Sequence, residues 1–169
     1  MFQRKISVVA HNIRSSHNIG SIFRTCDGFG IEHLYITGYS PYPAITNDSR
    51  LPHIAQKATA DIAKTALGAE TTVPFSYIPK ASTTIDAFKA HGYEIVGLEQ
   101  DETSIKLPEF EAPDKILLIL GEEVEGISAE LRKKCDHLIE IPMVGQKESF
   151  NVSVATGIAL YSLNNLKTY

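Results

Sequence analysis

The run Lys115-Ile-Leu-Leu-Ile-Leu120 is apolar without interruption after its lysine. A strand with one wet face alternates in polarity, so an unbroken run fits a central parallel strand covered by helices on both faces. Parallel neighbours need helical crossovers, and the rest of the chain supplies them. Ile6 to Ala10 reads as a first buried strand. The polar segment 11–18 leads into a helix with Asn18 as candidate cap, Ile19, Ile22, Phe23 and Cys26 on one face, and Gly28 and Gly30 at its end. His33 to Thr37 reads as a second strand, and the proline-bearing segment 38–52 as a loop long enough to be mobile or functional. A helix over 54–67, a strand over 71–77 and a helix from a Thr83/Asp86 capping box to His91 follow. Then come a strand over 94–98, an exposed acidic loop over 99–113, the run at 115–120, a turn at 121–126, a helix over 128–134 and a strand over 137–141. This alternation predicts an α/β fold with a mainly parallel sheet, in one domain spanning 1–169.

The last quarter departs from an ordinary α/β unit. The polar turn 142–150 lies between that strand and a helix from about Asn151 that is apolar on almost every face, through Val152, Val154, Ala155, Ile158, Ala159, Leu160 and Leu163. Such a helix, expected over 151–166, belongs in the core or against another chain. A polar loop held between two buried elements is a first candidate for a binding site. Two further polar turns, 11–18 and 121–127, also follow strands. In open α/β sheets ligands sit outside the carboxyl ends of the strands, so the three turns can converge there.

Composition narrows the chemistry. No G-x-G-x-x-G follows the first strand and no P-loop lysine motif occurs, which disfavours a dinucleotide or nucleoside-triphosphate site. Two cysteines, Cys26 and Cys135, make neither a disulfide framework nor a zinc site, and the six histidines show no metal-ligand spacing. No apolar stretch reaches the ~18 residues of a membrane span, and the N-terminal apolar part is too short for a signal peptide, so a cytoplasmic location is expected. Net charge is −4, which gives no global attraction for nucleic acid, although Arg4, Lys5, Arg14, Arg24, Arg50 and Lys57 gather in the first 60 positions. Taken alone, that asymmetry fits an unevenly charged surface. Arg24 fits a surface ion pair, Glu122, Glu123 and Glu125 fit a solvated turn, and Ser149 and Asn151 fit helix caps.

Taken together these segments resemble a known family. Asn18-Ile-Gly-Ser-Ile-Phe-Arg24, Leu120-Gly-Glu-Glu-Val-Glu-Gly-Ile127 and Ile141-Pro-Met-Val-Gly-Gln-Lys-Glu-Ser-Phe-Asn-Val-Ser153 are similar, in order and spacing, to the three motifs of the SpoU (TrmH) family of RNA ribose methyltransferases in the SPOUT superfamily. The resemblance implies an α/β fold with a deep C-terminal trefoil knot and, with no metal, S-adenosylmethionine as cofactor. It implies cofactor contacts, largely through main chain, at Leu98, Glu99, Gly121, Ile141, Met143, Ser149 and Phe150; the family more often has leucine where Phe150 stands. It implies catalysis at Arg24, with Asn18, Glu123, Ser149 and Asn151 orienting the arginine and the ribose. Whether Arg24 takes the hydroxyl proton or stabilises the developing alkoxide stays open, because a guanidinium is normally never a base. The implied partners are a tRNA or rRNA and a second copy of the chain. A local basic surface with Arg14, Arg24 and Arg50 is expected to bind the RNA, without a separate RNA-binding domain. The alternative is a cofactor-binding but catalytically weak RNA-binding module on the same fold.

Overall fold

The computed structural model describes residues 4–164. Seven strands, β1 (Lys5–His11), β2 (His33–Thr37), β3 (Phe75–Ile78), β4 (Glu94–Leu98), β5 (Ile105–Lys106), β6 (Lys115–Leu120) and β7 (His137–Glu140), alternate with six helices. These are α1 (Ser16–Phe29), α2 (Pro52–Ala66), α3 (Ala69–Thr72), α4 (Ala81–Ala90), α5 (Ala129–Arg132) and α6 (Val152–Leu163). The strands form one sheet in the order β3-β2-β1-β6-β4-β7-β5, and every pairing is parallel.

The uninterrupted apolar run is β6, the middle strand, with Leu118 in register with Val8 on one side and Val96 on the other. Ile116, Leu118 and Leu120 pack with Ile22 and Phe23 of α1 and with Ala159 and Leu160 of α6. Leu117 and Ile119 point the other way, into a second cluster with Ile85 of α4 and Leu131 of α5. Both faces of the strand are therefore dry, which is why no polar residue interrupts it. Burying a side chain of this size stabilises by about 1.5–3 kcal/mol, so the centre of the sheet is the fixed frame from which the turns project.

Several local readings change. Asn18 is not the cap of α1: Ser15 Oγ accepts from Asn18 N at 3.2 Å, which leaves the Asn18 side chain free to reach other segments. Gly28 lies inside α1, and Gly30, at φ 62°, ends it. Residues 69–72 form the short α3 instead of opening a strand, because the hydroxyls of Thr71 and Thr72 bond the carbonyls of Gly68 and Ala69 and β3 begins only after Pro74. Helix α4 starts at Ala81 with no side-chain cap, and Asp86 pairs instead with Lys134 at 2.7 Å. The 99–113 segment carries β5 and a 3-10 turn, Leu107–Glu109. Cys135 lies in the turn after α5, half-buried, with its Sγ donating to Leu131 O. The last two residues of the expected 151–166 helix lie outside the described residues.

Loop 38–52 is the largest surprise. Arg50 donates to Asp48 Oδ1 at 2.9 Å and Oδ2 at 2.6 Å, and to the carbonyls of Tyr42 and Pro43. Its guanidinium lies 3.5 Å from the Tyr42 ring centre, and Tyr42 stacks on Tyr77 of β3 at 4.0 Å. The loop is closed by its own side chains, so Arg50 serves as a structural tie and not as a free contact for RNA.

Candidate active site

At the carboxyl ends of β4, β6 and β7 lies a cavity of about 470 Å³. Leu98 ends β4, Gly121 follows β6, and Ile141 follows β7, so three neighbouring parallel strands deliver these residues to one edge. Leu98, Glu99, Gly121, Ile141, Met143, Ser149 and Phe150 all line it, together with Val152 and Ala155 of α6.

Its walls differ in how they are held. The turn after β6 is closed by Glu122 N to Gly126 O at 3.1 Å and Gly126 N to Glu122 O at 3.0 Å. Glu99 braces it from β4: its carboxylate accepts from Ile127 N at 2.6 Å and from Gln100 N at 3.0 Å. A Cβ on Gly121 would fall 2.4 Å from Gly126 C and 2.5 Å from Ile127 N, so this turn, more than any approach of a ligand, demands the glycine. The opposite wall is loop 142–150. Among the described residues, neither its main chain nor its side chains make a hydrogen bond. Such groups remain available to a ligand.

The lining is acidic and apolar. Glu99, Glu122, Glu123, Glu125, Glu140 and Glu148 surround the space, and among the described residues no lysine or arginine lines it. A phosphate-bearing ligand meets repulsion there, whereas one with a positive centre and an apolar ring does not.

The three polar turns meet through side chains. Asn18 Nδ2 donates to Glu123 Oε1 at 3.1 Å, and Asn151 Nδ2 donates to Asn18 Oδ1 at 3.2 Å. Asn151 Oδ1 in turn accepts from Ser153 N at 3.0 Å and Ser153 Oγ at 2.6 Å, capping α6. Arg14, 65% exposed, pairs with Glu122, and its main-chain N donates to Glu123 Oε2 at 3.4 Å. Its pKa lies above the ordinary value, through a hydrogen bond with the Tyr39 phenol and then through the charge of Glu122. His11 lies beneath this group, bonded to Thr37 Oγ1 at 2.8 Å; burial lowers its pKa and Glu122 only partly offsets that.

The remaining candidates divide. Ser149 lines the cavity without joining the network. Arg24 is not in the cavity. It lies exposed in a neighbouring groove of about 410 Å³ with Ser21, Lys64, Thr65, Ser153 and Val154, and among the described residues it has no hydrogen bond or ion pair. The first turn of α6 forms the partition, with Asn151 and Val152 facing the cavity and Ser153 and Val154 facing the groove. Helix α1 is brought close to α2 at Gly20, where a Cβ would meet Ile62 O at 2.2 Å, and this crossing fixes where Arg24 emerges. Among the described residues no cluster suits a metal ion, and no helix is long and apolar enough to cross a membrane.

Comparison with known proteins decides the family. The profile of the SpoU rRNA Methylase family matches residues 5–161. The chain belongs to the SpoU family. A TrmH family protein of Staphylococcus saprophyticus is 31% identical over 169 residues, covering 99% of this chain and 62% of its own length. A tRNA (guanosine(18)-2′-O)-methyltransferase of Aquifex aeolicus is 31% identical over 159 residues, 94% of this chain and 68% of its own length. Among solved structures, the A. aeolicus TrmH/SpoU tRNA modifying enzyme superposes with a TM-score of 0.79 at 30% identity, covering 96% of this chain and 75% of that one. The SpoU methyltransferase AviRb of Streptomyces viridochromogenes, in complex with the cofactor AdoMet, superposes with a TM-score of 0.76 at 25% identity, over 96% and 58%. This SpoU chain thus spans less than two thirds of the length of some of its relatives. Its parallel seven-strand sheet is that of the SPOUT methyltransferase structures.

Sequence reasoning missed the acidic ring as a whole and Tyr39, which follows β2 by one glycine and stands 54% exposed. An aromatic residue just past a strand end is the signal that was available for it.

Proposed function

We propose that this chain transfers a methyl group from S-adenosylmethionine to a ribose 2′-hydroxyl of a tRNA or rRNA in the cytoplasm. The observation that carries the reading is the convergence of the 121–127 and 142–150 turns around one cavity that is acidic, apolar and about 470 Å³, with the 11–18 turn bonded to its rim through Asn18 and Arg14. That volume is ordinary for a small-molecule site. The cofactor named with the AviRb structure fits the lining: Leu98, Ile141, Phe150 and Ala155 suit an adenine ring, the unbonded main chain of 142–150 suits its edges and ribose, and the carboxylates suit a sulfonium. When bound, this group supplies an activated methyl.

The chain's own residues do the rest. The turns hold the acceptor oxygen in line, and such alignment is worth about 7–11 kcal/mol. Asn18, Glu123 and Asn151 keep the start of α6 fixed relative to the 121–126 turn, so that Ser149 and the cavity rim keep their places. Arg24 supplies a permanent positive charge for the developing alkoxide, while the hydroxyl proton leaves to solvent. It reaches the reaction through a second copy of the chain. Val154 and Tyr161 of α6 are 50% and 65% exposed on a helix that is otherwise largely apolar, and Val154 lines the Arg24 groove. A two-fold contact over this face buries them and brings one copy's Arg24 towards the other's cavity. The trefoil knot belongs to the same reading: segment 99–114 leaves β4, pairs beyond β7 as β5 and returns to β6, a loop through which a knotted chain would pass its C-terminal segment.

Labelled-methyl transfer to separated tRNA and rRNA pools, with mapping of 2′-O-methyl positions, tests this. One pool should acquire label at a ribose. Binding of cofactor and RNA without transfer would make the chain a binding module instead.

A further inference from the structure

The geometry points to a subsite for one unpaired nucleotide of the RNA at Tyr39 and Arg14, with the base stacked on the Tyr39 ring and the phosphate held by the Arg14 guanidinium. It rests on the RNA-directed reading above and adds where the RNA lies relative to the cavity.

The ring is exposed but its backbone is not free. Gly38, at φ 69°, turns the chain out of β2, with its N bonded to Pro79 O at 3.1 Å and its carbonyl accepting from Tyr77 Oη at 2.8 Å. Tyr39 N donates to Asn12 Oδ1 at 3.2 Å. The next residue, Ser40, is buried, donates to Ala10 O and accepts from Ile13 N at 2.8 Å. Anchors from the ends of β1, β2 and β3 therefore hold out an aromatic ring that is 54% exposed. The other exposed aromatics among the described residues, Phe150 and Tyr161, belong to the cavity and to the α6 face. A rigid exposed ring loses little freedom when a base stacks on it, and every base presents a face to it. Only an unpaired base can do so, because helical RNA keeps its base faces covered.

Charge gives the second half. Among the described residues the cavity lining carries carboxylates and no lysine or arginine, so phosphates are repelled from it and are held beside it. Arg14 is a cation in that position: its main chain and side chain both touch the acidic turn, and its guanidinium pairs with Glu122 and interacts with the Tyr39 phenol. With five donors on one planar fork, it can keep Glu122 and still accept a phosphate. A nucleotide seated there lies one arginine side chain from the cavity rim, a fitting place for a neighbour of the methylated residue.

The test is binding of wild type, Tyr39→Ala, Tyr39→Phe and Arg14→Ala to whichever of bulk tRNA and bulk rRNA the wild type binds more tightly, and to a blunt RNA duplex without unpaired bases. Tyr39→Ala should weaken binding to the looped RNA by roughly 5- to 100-fold with an unchanged salt slope, and should leave the duplex unaffected. Tyr39→Phe should restore the affinity. Arg14→Ala should flatten the salt slope by about one for the looped RNA. Unchanged S-adenosylmethionine affinity in the two Tyr39 variants, and a cooperative thermal transition in Arg14→Ala, report that they are folded. Wild-type affinity of Tyr39→Ala for looped RNA, or an equal loss on loop and duplex, overturns the subsite. Failure of the wild type to bind either RNA overturns it together with the RNA reading, and that result is distinct from the other two.

Discussion

Loops 38–52 and 142–150 look alike as sequence: both are long, polar and proline-bearing, and both follow a buried strand. In the folded chain they are opposites. The first is tied by Arg50 to Asp48 and to two carbonyls, and clamped by the stack of Arg50, Tyr42 and Tyr77. The second makes no hydrogen bond among the described residues. Polar content alone does not mark a site. What marks it is polar content that the protein has not already satisfied, next to a space that it encloses.

The largest expected effect is at the cavity that loop 142–150 borders. Gly121→Val forces a side chain into Gly126 and Ile127, so the braced wall of the cavity cannot close. Calorimetry should show cofactor binding lost, with a lowered Tm. Unchanged affinity would mean that this cavity is not the binding site. Next is Arg24→Ala. With RNA saturating, single-turnover transfer should fall by about 10²–10³-fold, the scale for removing one group that stabilises a developing oxyanion. If only RNA affinity falls, Arg24 is a phosphate clamp.

Arg50→Ala sharpens the comparison from the closed side. It should lower Tm by several degrees through loss of the clamp, while the affinities for cofactor and RNA stay as they were. A loss of RNA affinity with unchanged Tm would reverse the roles assigned to the two loops. The smallest effect is on pH. Folding favours neutral His11, so its contribution is complete above the ordinary value of 6.5 and is lost as pH falls below it. Folding favours charged Asp48, whose pKa is held well below 3.8 chiefly by hydrogen bonding to Arg50, so that contribution is lost only in stronger acid. Tm measured against pH should decline first below 6.5, where burial also holds the pKa of His33 low, and His11→Asn should flatten part of that first step.

Much of this architecture was readable. The apolar run at 115–120 and the strand at 94–98 have their expected limits, because burial on both faces leaves a run with sharp ends. The three polar turns could be placed at one edge because parallel strands bring their carboxyl ends together. What could not be read depends on partners distant in sequence. Ser15 outcompetes Asn18 as cap, and only the fold shows Asn18 turned towards Glu123 and Asn151. Arg50 looked like a free cation because Tyr77, which backs its clamp, belongs to another strand. Arg24 and the cavity sit in neighbouring motifs of the sequence, yet the first turn of α6 separates them in space.

The central claim is that loop 142–150 is left unbonded for S-adenosylmethionine. Amide hydrogen exchange with and without saturating cofactor tests it most directly. Exchange over 142–150 should be fast in the free protein and clearly slower there when the cofactor binds. Loop 38–52, already tied, should show the same protection in both states. No change over 142–150 at saturating cofactor, or slowing confined to 38–52, would contradict it.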